Sequence, residues 1–97
     1  MEIKIKSLKF DADQKLIAYV EKKVAKLERF YEGAEVADVT LSLLQEPDNK
    51  NAKIQIHLPG EELIIEKNAQ TFEEAITECV DAMKEKIVRS KEKRFEK

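Results

Sequence analysis

The chain has 97 residues, and its 18 Lys and Arg against 20 Asp and Glu give a formal net charge of −2. This length allows one domain with a modest core, and 42% hydrophobic beside 39% charged residues excludes a disordered chain. The sequence has no bilayer-length apolar run, no secretory signal core and only one cysteine, so we expect a single cytoplasmic domain over residues 1–97.

The first third of the sequence predicts a strand followed by a helix. Residues 1–8 alternate apolar and polar side chains, which is the pattern of a half-buried strand. Asp11 followed by Gln14 has the form of a capping box, so we expect a helix to begin there and to run to about Tyr31. Gly33 fits the left-handed position beyond the end of that helix. Its apolar face would consist of Leu16, Ile17, Val20, Val24, Leu27 and Tyr31.

The middle of the chain predicts three further strands. Residues 36–44 and residues 52–58 alternate apolar and polar side chains, and the polar segment 47–51 between them predicts a turn. The Pro-Gly pair at 59–60 predicts a tight turn. A last short strand is expected at about 63–68, where apolar residues follow that turn.

A second helix is predicted to begin at a capping box formed by Thr71 and Glu74. Its apolar face would consist of Phe72, Ile76, Cys79, Val80, Met83 and Ile87. The resulting order is β-α-β-β-β-α, and its strand-helix-strand opening favours a parallel pair of strands. We therefore predict an α+β fold in which a four-stranded sheet carries both helices on one face.

Basic residues form two lines at helical spacing, although the chain as a whole is slightly acidic. The first line is Lys15, Lys22, Lys26 and Arg29, and the second is Lys86, Arg89 and Lys93. At about 100° per residue, the first line lies within about 60° and points away from the apolar face. Residues 84–97 carry seven Lys and Arg against three Glu. If the helices pack side by side, the two lines form one patch for phosphates; a solvated lysine-rich surface is the other interpretation.

Residues suited to catalysis are few. His57 is the only histidine and falls on the polar side of a predicted strand, while Cys79 falls on the apolar side of the second helix. No spacing typical of a metal site or a glycine-rich phosphate loop occurs. We therefore predict a protein that is not an enzyme and that has no cofactor, metal or small-molecule substrate. Tyr19 is the best candidate for stacking on a base, but with so few aromatic residues single-strand base recognition is not favoured.

Four segments of the sequence resemble the ribosome hibernation promoting factors, a family that includes ribosome-associated translation inhibitors and ribosomal subunit interface proteins. The likeness to the first helix of that family lies in FDADQKLI at 10–17 and VEKKVAKLERFYEG at 20–33. The likeness to its second helix lies in AQTFEEAI at 69–76 and RSKEK at 89–93. The resemblance runs essentially end to end, and the predicted order of elements agrees with that family.

The resemblance implies a cytoplasmic stress and stationary-phase protein that binds small-subunit ribosomal RNA in the channel for mRNA and tRNA and silences translation. Ribosomal proteins would be further contacts. The residues implied to bind RNA are Lys22, Lys23, Lys26, Arg29, Lys86, Arg89, Lys91 and Lys93. The chain departs from the family at Ala82 and Glu85, where basic residues are common. It also resembles the short form, without the additional C-terminal domain with which long forms pair two ribosomes.

Two other functions remain compatible with the sequence. The α-β-β-β-α part of the order matches a generic double-stranded RNA-binding module, which would bind any long duplex. A protein-interaction module, such as the sigma-factor modulator that relatives were once labelled, would instead use the acidic remainder of the surface. Binding to free duplex RNA or to RNA polymerase, in preference to ribosomes, would favour these alternatives.

Overall fold

The computed structural model describes the backbone of residues 1–30, 33–45, 47 and 49–95, and the side chains of these residues as far as Arg89. In chain order the elements are β1 (Glu2–Leu8), α1 (Gln14–Ala25), a 3₁₀ turn (Lys26–Arg29), β2 (Val36–Leu43), β3 (Lys50–Leu58), β4 (Glu61–Ala69) and α2 (Phe72–Phe95). The predicted β-α-β-β-β-α order and the α+β class are confirmed.

The four strands form one mixed sheet in the order β1-β2-β3-β4. β1 pairs with β2 in parallel, as the strand-helix-strand opening predicts, and the other neighbours are antiparallel. The register places one row of apolar side chains straight across the sheet, formed by Ile5, Val39, Ile54 and Ile65. Because side chains alternate along each strand, this row and its equivalents form a single apolar face.

Both helices cover this apolar face, as predicted. α1 contributes Val20 and Val24 to the core, and α2 contributes Ile76, Met83 and Ile87, all of which are fully buried. Burial of each such side chain stabilises the fold by roughly 1.5–3 kcal/mol. The opposite face of the sheet carries mostly polar side chains and has no helix on it, so we call it the uncovered face.

The start of α1 differs from the prediction. Asp13, and not Asp11, caps the helix, because its side chain accepts a hydrogen bond of 2.8 Å from the backbone N–H of Leu16. The residues before the cap are used for packing: the ring of Phe10 stacks on Phe72 with centroids 4.4 Å apart. This stack joins the chain before α1 to the first turn of α2, and the helix begins two residues later than predicted.

The end of α1 also differs from a regular helix. The α-helix stops at Ala25 and continues as one 3₁₀ turn over Lys26–Arg29, with Phe30 as the residue that follows. Tightening of a last turn in this way is common and satisfies terminal carbonyl groups. Tyr31, the predicted last residue of the helix, lies outside the described residues.

The start of α2 and the turn between β3 and β4 agree with the prediction from the sequence. Thr71 accepts a 3.1 Å hydrogen bond from the backbone N–H of Glu74 and so caps α2 as predicted. The turn between β3 and β4 has Pro59 followed by Gly60, whose φ of 74° is the left-handed value that favours glycine. β4 is longer than predicted, because it extends back to that turn and pairs with the whole of β3.

Candidate nucleic-acid interface

The first basic line projects from α1 and its 3₁₀ turn into solvent. The side chains of Lys22, Lys26 and Arg29 are exposed, as helical geometry predicts. In a 3₁₀ turn, side chains three residues apart are aligned, so Lys26 and Arg29 point in the same direction. Glu28 points elsewhere, since its carboxylate accepts a hydrogen bond from the ammonium group of Met1. The first line is therefore clear of the nearby acid.

A hydrogen bond joins α1 to α2 beside this line. The hydroxyl of Thr77 donates to the carbonyl of Glu73 at 2.8 Å, so the Tyr19 hydroxyl, 3.0 Å away, donates to the Thr77 oxygen. The ammonium group of Lys23 lies 5.5 Å from the centre of the Tyr19 ring. Tyr19 is thus used in helix packing and in positioning a lysine, which leaves its ring poorly placed to stack on a base.

A cleft of about 220 Å³ lies between the two helices, next to the Tyr19–Thr77 hydrogen bond. We call it the interhelical cleft. Its apolar lining consists of Leu27, Phe30 and Val80, and its cationic lining consists of Lys23, Lys26, Arg29 and Lys84. Thr77 and Asp81 complete it. Three of the predicted RNA-binding residues therefore meet at one place, together with a lysine from the opposite helix.

Lys84 is the α2 residue that the sequence-based choice missed. Its ammonium group lies 5.0 Å from the centre of the Phe30 ring, a cation–π distance that holds it towards α1. The signal was present in the sequence: Lys84 follows Val80 by four residues, and Val80 belongs to the apolar face of α2. A residue at that spacing lies on the same side of the helix.

The predicted basic residues of α2 are placed differently from one another. Lys86 donates a 3.0 Å hydrogen bond to the backbone carbonyl of Ile64 on β4, so it points to the edge of the sheet and not to the interhelical cleft. Arg89 is exposed and lines a shallow groove with Phe30 and Lys84. The side chains of Lys91 and Lys93 lie outside the described residues. The two departures from the family pattern, Ala82 and Glu85, line a separate groove beside Lys67 of β4.

The cations of this surface have no carboxylate partner within the described part of the chain. No ion pair there includes Lys22, Lys26, Arg29 or Lys84. Among the described residues these charges have no ion-pair partner, so they can attract an external anion. An unpaired cluster of this kind attracts phosphate groups and releases their counterions on binding.

The two residues with a possible catalytic function are placed elsewhere. On the uncovered face, both ring nitrogens of His57 lie near carboxylates, 2.8 Å from Asp38 and 2.9 Å from Glu62, and the hydrogen bond to Asp38 is the main cause of its raised pKa. Cys79 is fully buried, its thiol lies 3.2 Å from the carbonyl of Ala52, and burial raises its pKa to about 12. A thiol with that pKa is a poor nucleophile at neutral pH.

The described residues also lack two other kinds of site. They include no group of three or more His, Cys, Asp or Glu side chains that could hold a metal ion. Within the same residues, no helix is both long and apolar enough to span a membrane. The surface that remains as a candidate site is the cationic one formed by α1, the 3₁₀ turn and α2.

Known proteins share this fold and sequence pattern. The N-terminal domain of Protein Y from Thermus thermophilus is 32% identical with a TM-score of 0.81, over 92% of this chain and 98% of that chain. A ribosomal subunit interface protein from Coxiella burnetii has a TM-score of 0.85 at 13% identity, over 94% of this chain and 98% of that one, which shows the fold alone. No curated protein matches the chain significantly.

The match to a family model is more extensive. Residues 3–94, nearly the whole chain, match the model described as Sigma 54 modulation protein / S30EA ribosomal protein. The match covers both helices and all four strands except the first residue of β1 and the last of α2, and it includes every described residue of the cationic surface. The chain thus belongs to the Sigma 54 modulation protein / S30EA ribosomal protein family.

Proposed function

We propose that this protein binds small-subunit ribosomal RNA in the channel for mRNA and tRNA and keeps ribosomes idle under stress. The observation that carries the proposal is the cluster of cations that α1 and α2 bring together around the interhelical cleft, with no ion-pair partner among the described residues. Lys22, on the exposed side of α1, and Arg89, on α2, extend the cluster on either side.

Membership of the family supports the proposal. Proteins of this family are ribosome-associated factors and not enzymes. The Coxiella burnetii protein of the same fold is a ribosomal subunit interface protein. A site between the subunits is lined by ribosomal RNA, and a dense array of phosphates is the partner that an unpaired cationic surface fits best.

The mechanism that we propose is electrostatic attraction followed by steric exclusion. Lysine and arginine side chains neutralise phosphates and displace their counterions, which provides affinity without base recognition. The compact domain then occupies volume that tRNA and mRNA need. No covalent step is required, so the proposal is consistent with a buried, unreactive Cys79 and with a His57 held between two carboxylates.

A charge reversal on α1 tests the proposal. We expect Lys22→Glu combined with Lys26→Glu to abolish co-sedimentation with purified small subunits, because two attractive contacts become repulsive. The matched control is Lys4→Glu combined with Lys6→Glu, which changes the same charge on exposed residues of the uncovered face. The control should sediment with the subunits as the wild type does. Circular dichroism confirms that both variants are folded.

Two outcomes of this experiment, and one outcome of a separate binding competition, would contradict the proposal. Equal loss of sedimentation in both variants would mean that only net charge matters. Unchanged sedimentation of the α1 variant would remove this surface from the interface. Preference of the wild type for free duplex RNA or for RNA polymerase over ribosomes would favour one of the alternative functions instead.

A further inference from the structure

Asp81 is a feature of the interhelical cleft that phosphate binding does not explain. It lines the cleft together with Lys23, Lys26, Arg29 and Lys84, and no ion pair between it and a described cation is present. A carboxylate only accepts hydrogen bonds and repels phosphate. Its position on the lining therefore suits a ligand that presents hydrogen-bond donors as well as negative charge.

The buried side chains that line the cleft are apolar. Leu27 and Val80 are buried, and Phe30 is half-buried beside them. A volume of about 220 Å³ is below the roughly 300 Å³ at the lower end of sites that enclose a whole drug-sized ligand. A single planar ring system fits such a space, and any charged substituents would remain outside it.

Two aromatic rings of α1 and its 3₁₀ turn hold lysines at the cleft. The ammonium group of Lys23 lies 5.5 Å from the centre of the Tyr19 ring, and that of Lys84 lies 5.0 Å from the centre of the Phe30 ring. A cation held against a ring has already lost part of its side-chain freedom, so less entropy is lost when it binds an anion. Among the described residues, the cleft thus combines an apolar floor, one carboxylate and positioned cations.

We propose that the interhelical cleft binds one guanine nucleotide, with the base on Leu27 and Val80 and the phosphates among the lysines. The Watson–Crick edge of guanine presents two adjacent donors, N1–H and N2–H₂, which one carboxylate accepts together. Adenine and cytosine offer a single amino donor on that edge. The inference rests on the proposed function, because the nucleotide is taken to be an unpaired guanine of the ribosomal RNA.

Base preference is the first test. Fluorescent hexauridylate with one central guanine, and the same oligonucleotide with one central adenine, are titrated with the protein at low salt. We expect the guanine oligonucleotide to bind at least about fivefold more tightly, the lower end for one bidentate base contact. Asp81→Asn should remove this preference. Glu78→Gln, an equal charge change on an exposed residue of α2 outside the cleft, should keep it.

The second test asks where the guanine binds and whether it comes from RNA or from a free nucleotide. In methyl-labelled protein, we expect the guanine oligonucleotide to shift the resonances of Leu27 and Val80 but not that of Ile64, which is exposed on the uncovered face. Guanosine monophosphate should shift the same methyl groups at higher concentration. Equal affinity for the free nucleotide and the oligonucleotide would assign the cleft to a free ligand and overturn the ribosomal source.

Failure of this inference is distinguishable from failure of the proposed function. Equal binding of the guanine and adenine oligonucleotides, or absence of shifts at Leu27 and Val80, would overturn the guanine site. If the wild type still sediments with small subunits, the proposed function stands without that site. If the wild type does not sediment with them, the proposed function fails whatever the oligonucleotides show.

Discussion

His57 shows how a residue that invites a catalytic interpretation acts as a structural one. Its two ring nitrogens lie within hydrogen-bond distance of Asp38 on β2 and Glu62 on β4. Since carboxylates only accept hydrogen bonds, the ring donates from both nitrogens when it is protonated. The imidazolium therefore links three neighbouring strands on the uncovered face, far from the cationic surface.

The raised pKa of His57 gives stability a pH dependence. Its ordinary pKa is 6.5, and the hydrogen bond to Asp38, followed by the contacts with Glu62, raises it in the folded state. The stabilisation is therefore fully present below pH 6.5 and is lost as the pH rises through the higher folded value. We expect the free energy of unfolding, measured with urea over about pH 5.5 to 8.5, to decline less with rising pH in His57→Gln than in the wild type. Parallel curves would contradict this assignment.

The position of Cys79 predicts an unreactive thiol. The side chain is fully buried and its pKa is raised to about 12 by burial, so almost no thiolate is present near neutral pH. We expect iodoacetamide at about pH 8 to leave the native protein unlabelled and to label it rapidly in denaturing urea. Mass spectrometry measures both rates. Labelling of the native protein at the rate of an exposed thiol would show that Cys79 is accessible.

The two sides of α2 differ in what their lysines can contact. Lys84 lies at the interhelical cleft on the Phe30 ring, and Lys86 donates to the Ile64 carbonyl at the edge of β4. We expect Lys84→Gln to lower the slope of log affinity against log salt for small subunits by about one unit. Lys86→Gln, an equal charge change on the same helix, should lower it less. Equal changes in slope would mean that Lys86 contributes to binding as much as Lys84, which would contradict this assignment.

Much of the architecture could be predicted because it depends on local periodicity. Alternation along the strands and the apolar spacing in α2 follow directly from burial on one face, and both are confirmed. The start of α1 could not be predicted as closely, since Asp11 and Asp13 are both residue types that cap helices; the structure has Asp13 as the cap, and Phe10 before it stacks on Phe72. That contact joins residues distant in sequence, so no local signal reports it.

In the candidate site, too, the features within one helix could be predicted, and those that depend on contacts between helices could not. Exposure of the α1 line follows from helical geometry within one element, and the structure agrees. The spacing from Val80 indicates that Lys84 lies towards the apolar side of α2, but the sequence of α2 alone does not show that this side meets α1 at Phe30. The contact of Lys84 with Phe30 decides it, and the 3₁₀ turn that places Phe30 is itself a deviation from the predicted helix.

Charge is arranged differently on the two faces of the molecule. On the helical face, cations without an ion-pair partner among the described residues gather around the interhelical cleft, although the net charge is −2. On the uncovered face opposite charges alternate: Lys4 lies beside Asp38, and Lys53 lies beside Glu66 in the register of the sheet. The cations at the interhelical cleft attract phosphate groups to that part of the surface, although acids such as Glu73 and Glu74 lie on the same helix as Lys84.

Competition with tRNA on purified small subunits tests the central claim most directly. If the protein occupies the channel used by mRNA and tRNA, its addition should displace labelled tRNA from mRNA-programmed subunits in a saturable manner, near one protein per subunit. The Lys22→Glu, Lys26→Glu variant should leave the tRNA bound, while the Lys4→Glu, Lys6→Glu control should displace it. Simultaneous binding of wild-type protein and tRNA to the same subunit would contradict the account.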